Sequence, residues 1–266
     1  MAEQGDGMWA AGAAYERYMG RWSRLVAREF TDRLGCADGL RWLDVGCGTG
    51  ALTGRVAERR RPRSVLGVDR SPGYVATARG LVPGPASFAV ADALALPVRD
   101  GSLDVVVSGL SLNFLPSPAA GVAEAVRAVR PGGTVAAYVW DYGGGMGFLR
   151  RFWDAALRVD PAAGALDEGR RFPVCRPEPL RALWAAAGLA GVVVEPIEVP
   201  AVFAGFADLW EPFLAGQGPA PGYVAALAPP VRQRLREALR ADLPVRPNGA
   251  VELSLRAWSV QGIRSG

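Results

Sequence analysis

The 266-residue chain contains no histidine and no lysine, and all 30 of its basic residues are arginine. Without lysine no side-chain Schiff base can form. Without histidine the commonest general base and the commonest metal ligand are both missing. Any proton transfer therefore falls to Asp, Glu, Tyr, Cys, water or the substrate. Cysteine is scarce: Cys36, Cys47 and Cys175 are odd in number and far apart. That pattern argues against a disulfide framework and lacks the close pairs of a zinc site, so no metal is expected. No apolar run approaches the ~20 residues that a membrane helix needs. The segment MAEQGDGMWAAGAAYE carries acids where a secretory signal carries positive charge. These features predict a cytoplasmic protein with no membrane partner.

The net charge of +4 is spread along the chain. Its densest run, Arg59-Arg60-Arg61-Pro62-Arg63, sits at the end of an expected helix, where cations complement the helix dipole and stay solvated. No arginine–aromatic interleaving marks a single-strand platform, which speaks against a nucleic-acid partner. Half of the chain is hydrophobic, enough for one large domain or a core domain with a cap.

The most informative segment is Leu43-Asp44-Val45-Gly46-Cys47-Gly48-Thr49-Gly50. Arg41–Val45 reads as a buried strand, and three alternating glycines then open a helix near Ala51. Strand, tight turn and helix together let backbone approach a nucleotide-like ligand. The dinucleotide fingerprint would need glycine at position 51, which disfavours a nicotinamide-dependent oxidoreductase. Further apolar runs follow: Ser64–Val68 ending at Asp69, Ala86–Ala91 ending at Asp92, Leu103–Val107, and Thr134–Val139 after Arg130-Pro131-Gly132-Gly133. Helices are expected over 51–61, 72–80 and 118–130. The alternation predicts right-handed crossovers and a parallel, doubly wound sheet, with ligand at the carboxyl strand ends. Gly46, Asp69, Asp92 and Ser108 all fall there.

Asp44, the glycine turn, Asp69, Asp92, Asp104 and R-P-G-G, in this order, resemble the class I S-adenosylmethionine (SAM)-dependent methyltransferases, in the small-molecule, type 11-like branch, over roughly residues 10–140. The resemblance implies a Rossmann-like α/β fold: seven strands, mostly parallel with an antiparallel last strand, and SAM as cofactor. It places the methionine part on Gly46, Cys47 and Gly48, with Asp44 orienting the loop and reaching the amino group. Asp69, with Arg70 beside it, would accept from the ribose hydroxyls. Asp92 would accept from the adenine amine while the Ala93 N–H reaches a ring nitrogen, and Ser108 closes the site. Cys47 also has a plain reading as a packing residue, and Asp104, at the far end of its strand, reads as structural.

The stretch Ala14–Arg33 has helical spacing through Tyr15, Tyr18, Met19, Trp22, Leu25, Val26 and Phe30. Either it only packs on the sheet, or Tyr15, Tyr18 and one of Arg21 or Arg24 also cover the cofactor, the arginine pairing with the methionine carboxylate. Helices are expected over Phe148–Val159 and Pro177–Ala187, and strands over Gly191–Val199 and Gly249–Val260. The family pattern joins the last two strands by a tight hairpin; here 201–248 intervenes, rich in aromatics and with an arginine-rich helix at 229–242. It reads as a substrate lid, with a packing layer or dimer contact as the alternative. The domain reading is 1–13 disordered, 14–40 a helical cover, 41–200 and 249–262 the core, and 201–248 the cap.

Methyl transfer mainly needs proximity, alignment and desolvation. Many relatives place a base after the fourth strand, but Ser111-Leu112-Asn113-Phe114 offers none. Asn113 can orient an acceptor, and Asp141 and Tyr142 are the nearest ionisable candidates. The expected function is SAM-dependent methylation of a small, largely apolar acceptor, by a monomer or homodimer. The all-arginine composition suggests a GC-rich bacterial source and, with it, secondary metabolism. A non-methylating SAM-fold protein, a cyclase or metabolite binder, is the first alternative, and an RNA methyltransferase the second.

Overall fold

A computed structural model describes residues 19–215 and 218–266. The expectations for 1–13 and for the helix start over 14–18 lie outside the described residues. Helix α1 (Arg21–Arg33) leads into β1 (Arg41–Val45), α2 (Ala51–Arg59), β2 (Ser64–Asp69), α3 (Pro72–Leu81), β3 (Ala86–Val90), β4 (Leu103–Gly109), α4 (Pro118–Ala128) and β5 (Val129–Trp140). Then follow α5 (Gly147–Val159), α6 (Glu168–Arg171), α7 (Pro177–Ala186), β6 (Leu189–Phe203), α8 (Phe206–Trp210), α9 (Pro219–Ala226), α10 (Pro229–Ala241) and β7 (Val251–Arg264). The strands form one sheet in the order β3-β2-β1-β4-β5-β7-β6. Strands β1 to β5 pair with one another in parallel, and β7 runs antiparallel to both β5 and β6. The expected fold class is therefore observed. Chain order reverses between β1 and β4, the crevice where such sheets hold ligands. No helix among the described residues is long and apolar enough to cross a membrane.

Local sequence explains the frame. The central strands β1 and β4 bury Trp42, Leu43, Val105, Val106 and Val107 almost completely, as strands covered on both faces require. Ser71 and Ser117 cap α3 and α4 by accepting from Tyr74 N and Ala120 N, and each is followed by proline at the first helical position. Helix α1 buries Trp22, Val26 and Phe30 on one stripe. Its Trp22 stacks on Phe148 at 5.2 Å and lies 5.3 Å from Phe203.

Several expectations are corrected. Residues 129–133, expected as helix end and turn, belong to β5. Leu103 pairs with Val129 and Val105 with Thr134, so Arg130-Pro131-Gly132-Gly133 bulges opposite the single residue Asp104. Asp104 pins this bulge: Arg41 Nε donates to it at 2.9 Å and Arg130 Nε at 2.7 Å, and the two guanidiniums hold its carboxyl far below the usual range. Strands β6 and β7 are longer than their apolar alternation suggested, because they pair with each other over most of their length. As the edge strand, β6 also tolerates Pro196 and Pro200. Nor is the arginine run wholly solvated. The Arg60 guanidinium donates to the carbonyls of Thr31, Leu34 and Cys36 and so satisfies the C-terminal end of α1.

The segment between β6 and β7 forms α8, a 3-10 turn (Glu211–Ala215), α9 and α10. Two of its aromatics, Phe213 and Tyr223, pack inward against α5. Phe213 stacks on Phe152 at 4.4 Å, Tyr223 lies 5.8 Å from Trp153, and the Tyr223 hydroxyl donates to Asp160 Oδ2 at 3.1 Å. Arg151 Nη1 donates to Asp242 O at 2.7 Å, and Arg158 pairs with the Asp242 carboxylate.

Candidate active site

The glycine turn follows β1 as its spacing demands. Gly46, Gly48 and Gly50 have φ of +73°, +53° and +89°, values that side chains rarely adopt. Gly46 N and Cys47 N both donate to Val68 O, at 2.8 and 2.9 Å, which ties the turn to β2. On its other side Gly46 faces Ser111: a Cβ at position 46 would overlap the Ser111 Oγ and Cβ. Ser111 cannot turn away freely. Its hydroxyl donates to Val45 O at 3.0 Å, and the Ser108 hydroxyl lies 2.7 Å from it. Because Ser111 has one proton, Ser108 is the donor in that pair. The relay Ser108–Ser111–Val45 clamps the ends of β1 and β4 together. Ser108, a candidate ligand contact by sequence, thus also braces the turn through Ser111, which no pattern in the sequence singles out.

Two carboxylates back the turn. Asp69 accepts from Gly48 N at 3.0 Å through Oδ2 and from Ser71 N at 2.9 Å through Oδ1. Burial pushes its carboxyl up, opposed by those two donors. Asp44 is fully buried, and its Oδ2 accepts from Thr53 Oγ1 at 2.6 Å. Its Oδ1 has no partner among the described residues. Burial, helped by the nearby Asp69 charge, pushes the Asp44 carboxyl up to about 7. Cys47 packs with Val75, Ala78 and Phe88, and burial pushes its thiol far above the usual range, so it is a packing residue and not a nucleophile.

The remaining cofactor candidates are more peripheral. Asp92 is exposed beyond β3, and its Oδ1 accepts from Leu94 N at 2.9 Å, which shapes the turn through the half-buried Ala93. Arg70 is exposed after Asp69. Arg24 lies on an exposed part of α1, whereas Arg21 pairs with Asp208 at 3.3 Å and lies 4.2 Å over the Trp22 ring. Tyr15 and Tyr18 lie outside the described residues.

Of the three catalytic candidates, the structure brings one to a cleft. Tyr142 is buried after β5 and packs 5.6 Å from Phe172. With Met19, Phe114, Leu149, Phe172 and Pro219 it walls a narrow apolar cleft. Asn113, in the 3-10 turn Leu112–Phe114, is buried, and its Nδ2 has no partner among the described residues. Asp141, the third candidate, is tied into the fold. Its Oδ1 accepts from Gly144 N at 3.1 Å and its Oδ2 from Arg256 Nη1 at 3.3 Å, so it holds the glycine turn 143–145 in place and does not line the cleft. The acid that does line it is Glu168. Its Oε2 accepts from the Trp153 indole N–H. Burial pushes its carboxyl up to about 7. No pattern in the sequence singles out Asp167-Glu168; the pair is buried where α6 packs under Trp153.

Residues 43–137 match the family model described as a methyltransferase domain. A malonyl-[acyl-carrier protein] O-methyltransferase of Geobacter sulfurreducens is 36% identical over 187 residues, 68% of each chain. Its counterpart in Hahella chejuensis is 40% identical over 102 residues, 38% of this chain and 36% of the relative. The chain spans no more than 45% of the length of the first three curated relatives it matches. Among solved structures, a Haemonchus contortus phosphoethanolamine N-methyltransferase, in complex with phosphomonomethylethanolamine and S-adenosylhomocysteine, superposes with a TM-score of 0.59 at 17% identity. That match covers 96% of this chain and 57% of the other. With β1, its glycine turn and the seven-stranded sheet in place, the chain belongs to the class I SAM-dependent methyltransferases.

Proposed function

We propose that this protein binds SAM at the turn Gly46–Gly50 and transfers its methyl group to a small, largely apolar acceptor held in the Tyr142–Phe172 cleft. The observation that carries this reading is the placement of that cleft. Phe114 lies three residues after Ser111, which packs on the glycine turn, and Tyr142 follows the carboxyl end of the neighbouring strand. Cofactor turn and apolar cleft would then share the carboxyl edge of the sheet. Bacterial secondary metabolism is a natural setting for such an acceptor.

The residues fit the cofactor on their own chemistry. The unpartnered, buried Asp44 Oδ1 suits the amino group of the methionine part, and Asp69 has lone pairs left for two ribose hydroxyls. Asp92 and Ala93 are placed for the adenine edge. SAM supplies an electrophilic sulfonium methyl for in-line displacement. The chain supplies close approach at Gly46 and Gly48, an apolar wall that excludes water, and a cap in which Pro219 overhangs the cleft. Asn113 is suited to orienting the acceptor. The scattered positive charge offers no stripe for RNA.

Calorimetric titration with SAM, S-adenosylhomocysteine and NAD tests the reading. Micromolar binding of the two sulfur nucleosides without NAD is expected, and no binding of either sinks it. Asp44 makes a second expectation. Its folded carboxyl titrates above its unfolded value, so the folded state is favoured when it is protonated, and stability is lost as pH rises from about 4 through about 7. Glu168 acts with the same sign. In the free protein, Asp44→Asn should therefore flatten the fall in melting temperature between acid and mildly alkaline pH, by up to ~4 kcal/mol of stability. It should also remove the rise in SAM affinity with pH that follows if the cofactor ammonium needs an ionised Asp44. An unchanged pH slope in melts and titrations would remove Asp44 from this role.

A further inference from the structure

Among the described residues the cleft wall holds one carboxylate, Glu168, amid apolar and aromatic groups, and neither Asn113 nor Asp141 supplies a base there. We propose that Glu168 is the catalytic base of the acceptor reaction and that the acceptor is an aromatic hydroxyl compound, bound as the neutral phenol. This rests on the methyltransferase reading above.

The geometry supports both parts. Phe114 and Phe172 meet edge to face at 5.3 Å, and Tyr142 leans on Phe172 at 5.6 Å. Such a wall suits a flat aromatic ring. The Trp153 indole N–H holds Glu168 Oε2, which fixes the carboxyl while leaving lone pairs for an O–H donor. A carboxylate acceptor would meet Glu168 as a like charge in a dry cleft, which disfavours it. The charged and titratable groups around Glu168 are few. Asp167 on the same turn is bound by Arg150 of α5 through both oxygens, at 3.0 and 2.6 Å. Arg176 Nη2 reaches Gly169 O at 3.4 Å, and the Tyr142 phenol shares the cleft. Asp167 and Arg150 therefore largely compensate each other, and burial sets the basicity of Glu168, near neutrality, where a general base works best. In the step, the acceptor O–H bond breaks and its proton passes to Glu168 Oε. The oxygen pair forms the new O–CH3 bond, and the S–CH3 pair stays on sulfur as the neutral thioether. Glu168 returns its proton to water.

The test uses the full chain, with 2-naphthol and 4-nitrophenol as probes at about pH 8, where the first is neutral and the second already ionised. Glu168→Gln keeps an acceptor for Trp153. It should leave SAM affinity unchanged, lower kcat for 2-naphthol about 100-fold or more, and leave 4-nitrophenol within about threefold. A readout without turnover accompanies it. Fluorescence titration of 2-naphthol into the S-adenosylhomocysteine complex should show affinity rising with pH in wild type and flat in Glu168→Gln. Equal losses for both phenols, or naphthol binding with the same pH dependence in both proteins, overturns the base role. Wild-type SAM binding without methylation of either phenol overturns the hydroxyl acceptor and leaves the methyltransferase reading standing. Absence of SAM binding overturns that reading itself.

Discussion

Gly46→Ala should cost the protein its SAM binding, at least 100-fold in affinity, and about 2–4 kcal/mol of stability. Two penalties coincide at this residue. Its φ of +73° disfavours any side chain, and the new Cβ would occupy the space of the Ser111 side chain. Ser111 cannot yield without breaking its bonds to Ser108 and Val45 O. The turn must then move, and with it the N–H groups of Gly46 and Cys47 that anchor it to β2. Gly48→Ala offers the contrast: its φ is +53°, but open space surrounds the position, so only the backbone penalty of about 1 kcal/mol applies to the free protein. Adding Ser111→Gly to Gly46→Ala should recover the part due to overlap. Calorimetry and thermal melts on the three variants check this. A Gly46→Ala protein that binds SAM normally would show that the β1–β4 clamp is irrelevant to the site.

Phe152→Ala should detach the cap from the core. Phe152 is fully buried on α5, stacked on Phe213 at 4.4 Å and edge-on to Trp153 at 5.0 Å. Truncating such a ring leaves a cavity and costs about 3–5 kcal/mol. The loss falls on the seam between α5 and the 3-10 turn that carries Phe213, far from the glycine turn in chain order. The expected result is a lower denaturation midpoint, faster proteolysis within 204–250, SAM affinity within about threefold of wild type, and acceptor turnover largely lost. Turnover that survives with the cap cleaved would assign 204–250 to packing alone.

The aromatic insertion shows why sequence reading has limits here. Phe213 and Tyr223 are as apolar in a lid over substrate as in a layer packed on α5, and composition does not separate the two. The structure turns most of these rings inward and leaves Pro219 at the cleft. Asp141 and Glu168 depart from what their places in the chain suggest for a similar reason. Asp141 stands after a strand end, where ligand contacts concentrate, yet Arg256, arriving on β7 more than a hundred residues later, neutralises it. Glu168 stands in a stretch with no strong pattern, yet α5 lays Trp153 over it. Burial and long-range ion pairing depend on which elements meet.

The frame was legible in the chain alone: a strand, a turn of alternating glycines, and apolar runs that end in acids. These are local signals, set by backbone sterics, helix capping and the burial of short strands on both faces. Together they specified the parallel sheet, its ligand edge and the family. Only the tertiary structure decided which polar groups are spent on the fold and which face the cleft. Ser111 packs against Gly46, Arg60 closes α1, Asp104 pins the R-P-G-G bulge, and Glu168 lies among aromatic rings. Each of these depends on contact between residues distant in the chain, where desolvation and the available partner, not residue type, set whether a charge braces the protein or stands ready for chemistry.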